Sequence, residues 1–255
     1  NKKYCLRRLL ALKRKLICDD RLKADYLAFM QKTLDRGHAS QVPTDQLNAS
    51  KGKVWYLPHF SVYHPRKPDQ IRVVFDCSAV YDNESLNKHL LKGPDQLNSL
   101  IGVLTRFRKD EVAVTCDIEQ MFHSFYVDCK HRDFLRFLWF QDNDLTKPIV
   151  DYHMDVHLFG AASSPGIANF CLHHTAETHR EEYGNDAANF LQKDFYVDDG
   201  LISLPSVEQA VKLMKDTQTI CAKNNLRLHK FASNKKEVLA ALHVNDLAKD
   251  LKDLD

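Results

Sequence analysis

No stretch of this 255-residue chain is apolar for long enough to cross a bilayer, and no secretory signal is visible. No membrane partner is therefore expected. The seven cysteines are scattered, odd in number, and include no CxxC pair, which argues against a disulfide framework or a structural zinc and for a reducing compartment. Excess charge is lacking too: 36 Lys and Arg stand against 34 Asp and Glu, a net +2 that by itself points to no partner. No internal repeat or low-complexity tract stands out. What remains, 44% hydrophobic and 27% charged residues, predicts a soluble globular chain able to bury a core as one composite domain or two modest subdomains. Cys171, His173, His174 and His179 are the nearest thing to a metal cluster, but on a helix they spread around the axis and read as a polar face.

Against this background six residues stand out, Phe195-Tyr196-Val197-Asp198-Asp199-Gly200, which set two adjacent carboxylates between apolar runs. Asp-Gly between strand-like segments predicts a hairpin whose central residues adopt positive φ. Neighbouring aspartates at such a tip either stay wet or share a cation, and oxygen-only ligands suit Mg²⁺. A third carboxylate closes another strand-like run, Val112-Ala113-Val114-Thr115-Cys116, at Asp117. Asp117 is either a cap for the segment after it or, beside an Asp-Asp hairpin on a neighbouring strand, part of a cluster for two divalent ions about 4 Å apart.

The order Asp117, Phe122, Phe159-Gly160-Ala161-Ala162-Ser163-Ser164-Pro165-Gly166, Tyr196-Val197-Asp198-Asp199 resembles the palm of a reverse transcriptase. The segments Tyr56-Leu57-Pro58-His59, Arg72-Val73-Val74-Phe75-Asp76-Cys77-Ser78-Ala79 and Leu228-His229-Lys230 are similar to the BEL/Pao group of LTR retrotransposons. The resemblance covers roughly residues 24–255 and implies an α+β right-hand polymerase fold, its antiparallel palm sheet backed by helices. It further implies RNA- and DNA-directed DNA synthesis with two Mg²⁺ ions (Mn²⁺ a substitute), on an RNA or DNA template with primer and with dNTPs. The cellular setting it implies is a virus-like particle in the cytoplasm, or the nucleus.

Residue by residue, the resemblance makes Asp117, Asp198 and Asp199 catalytic and metal-binding, with the Ile118 carbonyl a further ligand. Phe122 stands where the family has a steric gate against the ribose 2′-hydroxyl; its other reading is an ordinary core aromatic. That gate also disfavours an RNA-dependent RNA polymerase. Arg72 falls where the family contacts the triphosphate, and a planar guanidinium suits that role. Arg66 and Lys67 lie in a basic loop that resembles the family's fingertip, where either Arg66 or Lys67 is the group that reaches the γ-phosphate. Gly160, Ser164 and Pro165 match the motif that opens the palm helix, glycine permitting close approach and proline suiting a first turn. Phe159 departs from the glutamine many retroviral-type enzymes carry there, which puts its contact with the incoming sugar in doubt. Lys230 is either a donor of a proton to the leaving pyrophosphate or a surface charge. Tyr196 and Val197 complete the motif around the aspartates.

Residues 1–16 carry seven Lys and Arg and no acid, interleaved with leucines. They read equally as a phosphate-binding arm and as the wet face of an amphipathic helix. The expected organisation is a basic helical arm over 1–23, fingers over about 24–111 and 126–157, palm over about 112–125 and 158–235, and a linker or short helix over 236–255. Helix is expected through about 5–35, broken near Asp20, then over 95–108, 165–183 and 207–224. Strands are expected at 53–62, 70–77, 132–140 and 149–159 and around the aspartates. In the family a primer-grip hairpin, a helical thumb and ribonuclease H come after the palm, with protease and integrase elsewhere in the polyprotein. Their motifs are absent here, so the chain reads as a polyprotein segment or a decayed copy. A non-catalytic nucleic-acid-binding module on the same fold is the second reading.

Overall fold

The computed structural model describes residues 1–47, 52–64 and 67–249, and of His64, Lys67 and Pro68 the backbone alone. Within that range the chain forms two compact units, residues 1–91 with 125–164, and residues 92–124 with 165–255. Both halves of each unit are separated in sequence, so neither closes until the chain has passed through the other.

In the first unit come α1 (Lys2–Cys18), α2 (Asp20–Asp35), β1 (Ala39–Gln41), β2 (His59–His64), β3 (Lys67–Phe75) and α3 (Leu86–His89). The α1 residues Cys5, Leu9, Leu12 and Leu16 recur at helical spacing and are buried, while Lys3, Arg7, Arg8, Arg14 and Lys15 stay wet. The basic N-terminal segment is therefore a core helix of this unit on its apolar side. The break expected at Asp20 falls one residue earlier. Asp19 is extended at φ −134°, and its carboxylate accepts from the Leu22 N–H at 2.9 Å.

The second unit begins with α4 (Leu100–Arg106) and β4 (Val112–Ile118). The chain then supplies β5 (Arg136–Phe140) and β6 (Ile149–Met154) to the first unit, and continues through α5 (Ser164–Thr178), α6 (Arg180–Tyr183) and α7 (Asn185–Lys193). It ends with β7 (Phe195–Tyr196), β8 (Asp199–Leu204), α8 (Val207–Lys223), β9 (Leu228–Ser233) and α9 (Lys236–Ala240). Among the described residues every strand pairing in a sheet is antiparallel: β1-β6-β5 and β2-β3 in the first unit, β7-β8-β4-β9 in the second. This is the α+β architecture expected.

Several boundaries differ from expectation. Of the run 53–62 only 59–62 is strand, and 132–135 belongs to a 3-10 turn (Cys129–Leu135) at whose start the Lys130 N–H donates to the Asp128 carboxylate at 2.9 Å. Helix α7 has no counterpart among the expected helices. Gly184 at φ +88° ends α6 and starts α7, which then buries Ala187, Ala188, Phe190 and Leu191. The apolar period is present in the sequence, and the glycine is its start signal.

The first unit is held by buried polar groups as well as by apolar packing. Arg136, wholly buried on β5, pairs with Asp133 and donates to the Gln46 carbonyl at 2.7 Å. Tyr56 donates to Asp151 at 2.6 Å, and Lys2 reaches the same carboxylate. His59 is a second buried polar group. Its Nε2–H donates to the Leu138 carbonyl at 3.0 Å, which leaves Nδ1 to accept from the Tyr26 hydroxyl. Those partners suit the neutral ring, and burial pushes its pKa down to about 4.

In the second unit β4 alternates, with Val112, Val114, Cys116 and Ile118 inward and Ala113, Thr115 and Asp117 on the other face. Helix α8 lies against β4, β8 and β9 with Leu213, Met214, Ile220 and Cys221 buried. The β7–β8 hairpin corrects one sequence expectation. Register Tyr196↔Asp199 makes Val197 and Asp198 the two-residue loop, and the positive φ (+59°) falls on Val197, not on Asp198-Asp199 or Gly200. Positive φ at the first central residue only is the type II′ pattern. A β-branched residue there is strained by about 1–3 kcal/mol, which the surrounding pairings must hold. Gly200 serves packing instead. It pairs with Phe195 and Cys116, and a Cβ on it would lie 2.6 Å from the Phe195 ring and 2.8 Å from Cys116 Sγ.

Both His59 and Gly200 give measurable consequences for stability. Because unfolded His59 titrates near 6.5 and the folded one near 4, its contribution is complete above about pH 6.5 and is lost as the pH falls toward 4. The loss is on the order of 3 kcal/mol, and urea midpoints at pH 7 and 4.5 check it against His59→Gln, which should flatten that slope. Gly200→Ala should destabilise the chain by about 1–3 kcal/mol in urea unfolding at pH 7, since neither buried neighbour can give way.

Candidate functional site

Asp117 sits at the outer end of β4, on the face away from the buried Cys116 and Ile118. The antiparallel register sets Asp199 of β8 directly opposite it on one side and His229 of β9 directly opposite on the other. Residues paired in this way share a face, with Cβ atoms about 5 Å apart. Asp198 joins from the hairpin loop, whose tip is tied to the end of β4 because its carbonyl accepts from the Ile118 N–H at 2.9 Å. The three carboxylates named from the sequence are thus brought to one end of one sheet.

The electrostatics come from this crowding. Burial raises the Asp198 pKa, with the Asp117 charge adding to the shift and Lys230 opposing it. Burial likewise raises that of Asp199, and the Asp198 and Asp117 charges push the same way. Like charges directly across a ladder are unfavourable, so such a cluster calls for a cation.

A protein cation is already there. His229 Nε2 meets Asp117 Oδ1 at 2.8 Å, and Lys230 Nζ donates to Oδ2 at 2.7 Å. Consecutive strand residues ordinarily point to opposite faces. Here a bulge breaks the alternation, because between the pairs Thr115↔Ala232 and Asp117↔His229 strand β4 advances two residues and β9 three. Lys230 takes up the surplus at φ +53°, so both side chains reach one carboxylate. Sequence reasoning misses His229 as a site residue although it picks out the segment, for the bulge leaves no signature in the sequence.

As a set, the donors suit a hard divalent cation, being oxygen-only carboxylates that disfavour one another's charge. Among the described residues, however, no three His, Cys, Asp or Glu side chains form a finished metal cage. An ion would take the place of Lys230 at Asp117. Ile118 is fully buried, with its N–H committed to the hairpin loop. Phe122, in the 3-10 turn Met121–Ser124 just after β4, is 7% exposed. Tyr196 pairs with Asp199, and Val197 carries the strained φ. Pro165 stands in the first turn of α5.

Other named residues lie in the first unit. Arg72 is exposed on β3, next to the core-facing Val73 of a strand that buries Val73 and Phe75. Phe159 is 68% exposed, and Gly160 adopts φ +90°, a conformation that side chains other than glycine rarely take. Ser164 is buried at the start of α5. Arg66 and the Lys67 side chain lie outside the described residues. In the second unit, His174 of α5 stacks on Phe170 with rings 6.1 Å apart, and His179, at the start of α6, meets Asn224 at 2.9 Å.

No protein-family model matches this chain, and no curated protein does. Solved structures do match. A foamy viral protease-reverse transcriptase in complex with double-stranded DNA aligns over 82% of this chain and 31% of its own, with a TM-score of 0.61 at 15% identity. The selenomethionine-labelled CSH mutant of prototype foamy virus protease-reverse transcriptase aligns over 86% and 25%, with a TM-score of 0.62 at 16% identity. The native form of that protein aligns over 81% and 23%, with a TM-score of 0.57 at 16% identity. The chain spans between about a quarter and a third of the length of these structures. With its antiparallel sheets and flanking helices, the chain has a reverse transcriptase-like fold.

Proposed function

We propose that this chain is the fingers and palm of an RNA-directed and DNA-directed DNA polymerase, from the Pol polyprotein of a BEL/Pao-type LTR retrotransposon. The observation that carries the proposal is the direct pairing of Asp117 with Asp199 across β4 and β8, with Asp198 at the pinned tip beside them. Asp117, Asp198, Asp199 and the Ile118 carbonyl would hold Mg²⁺, or Mn²⁺ in its place. Two such ions supply activation of the primer hydroxyl and neutralisation of phosphoryl charge. The chain's own residues do the rest by position. Phe122 comes soon enough after the Asp117 strand to bar a ribose 2′-hydroxyl near the carboxylates. Arg72, Lys67, Phe159 and Gly160 would contact the incoming dNTP, and Lys230, once off Asp117, would be a proton donor to pyrophosphate. Template–primer is the partner, in keeping with the double-stranded DNA named for one structural neighbour. Ribonuclease H, integrase and protease would be its companions in the polyprotein, working in a cytoplasmic virus-like particle or in the nucleus.

A second reading keeps the fold and drops the chemistry, making the chain a nucleic-acid-binding module. It is favoured by one observation, that His229 and Lys230 already satisfy both oxygens of Asp117. Primer extension separates the two, since a module binds template–primer and adds nothing to it.

Asp198→Asn should lower Mg²⁺-dependent extension of a DNA primer on an RNA template by about a hundredfold or more. Because burial already disfavours the charge at Asp198, the neutral amide should leave the urea midpoint at pH 7 unchanged or slightly higher; retained synthesis would sink the assignment. Phe122→Ala should relax sugar selection, lowering the dNTP-over-rNTP ratio of kcat/KM by about tenfold or more. An unchanged ratio would return Phe122 to the core.

A further inference from the structure

Asn87 on α3 makes more connections than its partly exposed position needs. Its carboxamide nitrogen donates to the Ser78 hydroxyl and to the Gly160 carbonyl, each at 2.9 Å. Its carboxamide oxygen accepts from the Ala162 N–H at 2.8 Å. The amide orientation is fixed by the partners, because Ala162 offers only a donor there and Gly160 only an acceptor. On the other side, the Asn87 backbone N–H donates to the Cys77 carbonyl at 3.0 Å, and Asp76 holds the Ser78 N–H at 3.0 Å.

Within the Phe159–Ala162 loop Ala161 is buried in the core of the unit, whereas Phe159 is largely exposed and a Cβ on Gly160 would meet nothing within 4 Å. On either side of Ala161 the backbone is gripped by one side chain, at the Gly160 carbonyl and at the Ala162 N–H. The same side chain is anchored to Cys77 and Ser78, two and three residues beyond the end of β3, the strand that carries Arg72. The geometry points to Asn87 as a positioning residue for dNTP binding, tying the Arg72 strand to the Phe159–Ala162 loop so that the two present one fixed surface. This rests on the polymerase reading of Arg72, Phe159 and Gly160. Asn is the residue the geometry asks for: Asp keeps the acceptor but loses both donors, and Ala loses all three bonds.

The test uses the full chain bound to a template–primer whose primer ends in a dideoxynucleotide, so that dNTP binds without being incorporated. Asn87→Ala should speed hydrogen exchange at the Ala162 amide and weaken dNTP affinity, each by about tenfold, the worth of two ordinary hydrogen bonds. Template–primer affinity should stay within about twofold. Asn87→Asp, which keeps the Ala162 bond, should protect that amide and still weaken dNTP binding. Faster exchange with unchanged dNTP affinity would overturn the inference and leave the polymerase reading standing. If the unsubstituted chain binds template–primer but no dNTP, the polymerase reading fails first and takes this one with it.

Discussion

Everything at the candidate site depends on placing like charges across an antiparallel ladder. Asp117 and Asp199 stand opposite each other, and the carbonyl of Asp198 ties the hairpin tip to the same strand end. A sheet does not tolerate that arrangement for its own stability. It persists because β4 is anchored by four inward apolar residues and because a bulge on β9 delivers two counter-groups to one carboxylate. The pocket of negative charge is thus built by the core beneath it and balanced by the strand beside it.

That balance bears on how a metal would enter. With His229 on one oxygen of Asp117 and Lys230 on the other, the carboxylate is oriented before any ion arrives. An incoming divalent cation would exchange with an ammonium that is 55% exposed, and such pairs hold by only about 1 kcal/mol or less. The strained φ values fall at Val197 in the β7–β8 loop and at Lys230 on β9, and backbone strain of that kind gathers at working sites.

The first unit solves a different problem. Its elements are joined by polar groups taken out of water and satisfied there, Arg136 among carbonyls and carboxylates and His59 between a hydroxyl and a carbonyl. Unpaired, each would cost more than its pairing yields, so such groups select one arrangement and tolerate few others.

The amino-acid order alone pointed to the three carboxylates that the structure brings to one end of one sheet. Asp117 ends a β-branched run and Asp198-Asp199 break another, and local alternation carries that information without any knowledge of partners. The α+β class and the amphipathic helices were legible for the same reason, since their periods are written in the residues. Tertiary structure decided what depends on partners far along the chain. It moved the turn from Asp199-Gly200 to Val197-Asp198, because Gly200 is required by the Phe195 ring and Cys116 rather than by its own φ. It brought His229 to Asp117 across 112 residues through a bulge that alternation cannot announce. It turned the basic N-terminal segment into a core helix, because burial of Leu9, Leu12 and Leu16 is set by the strands they meet and not by the lysines around them.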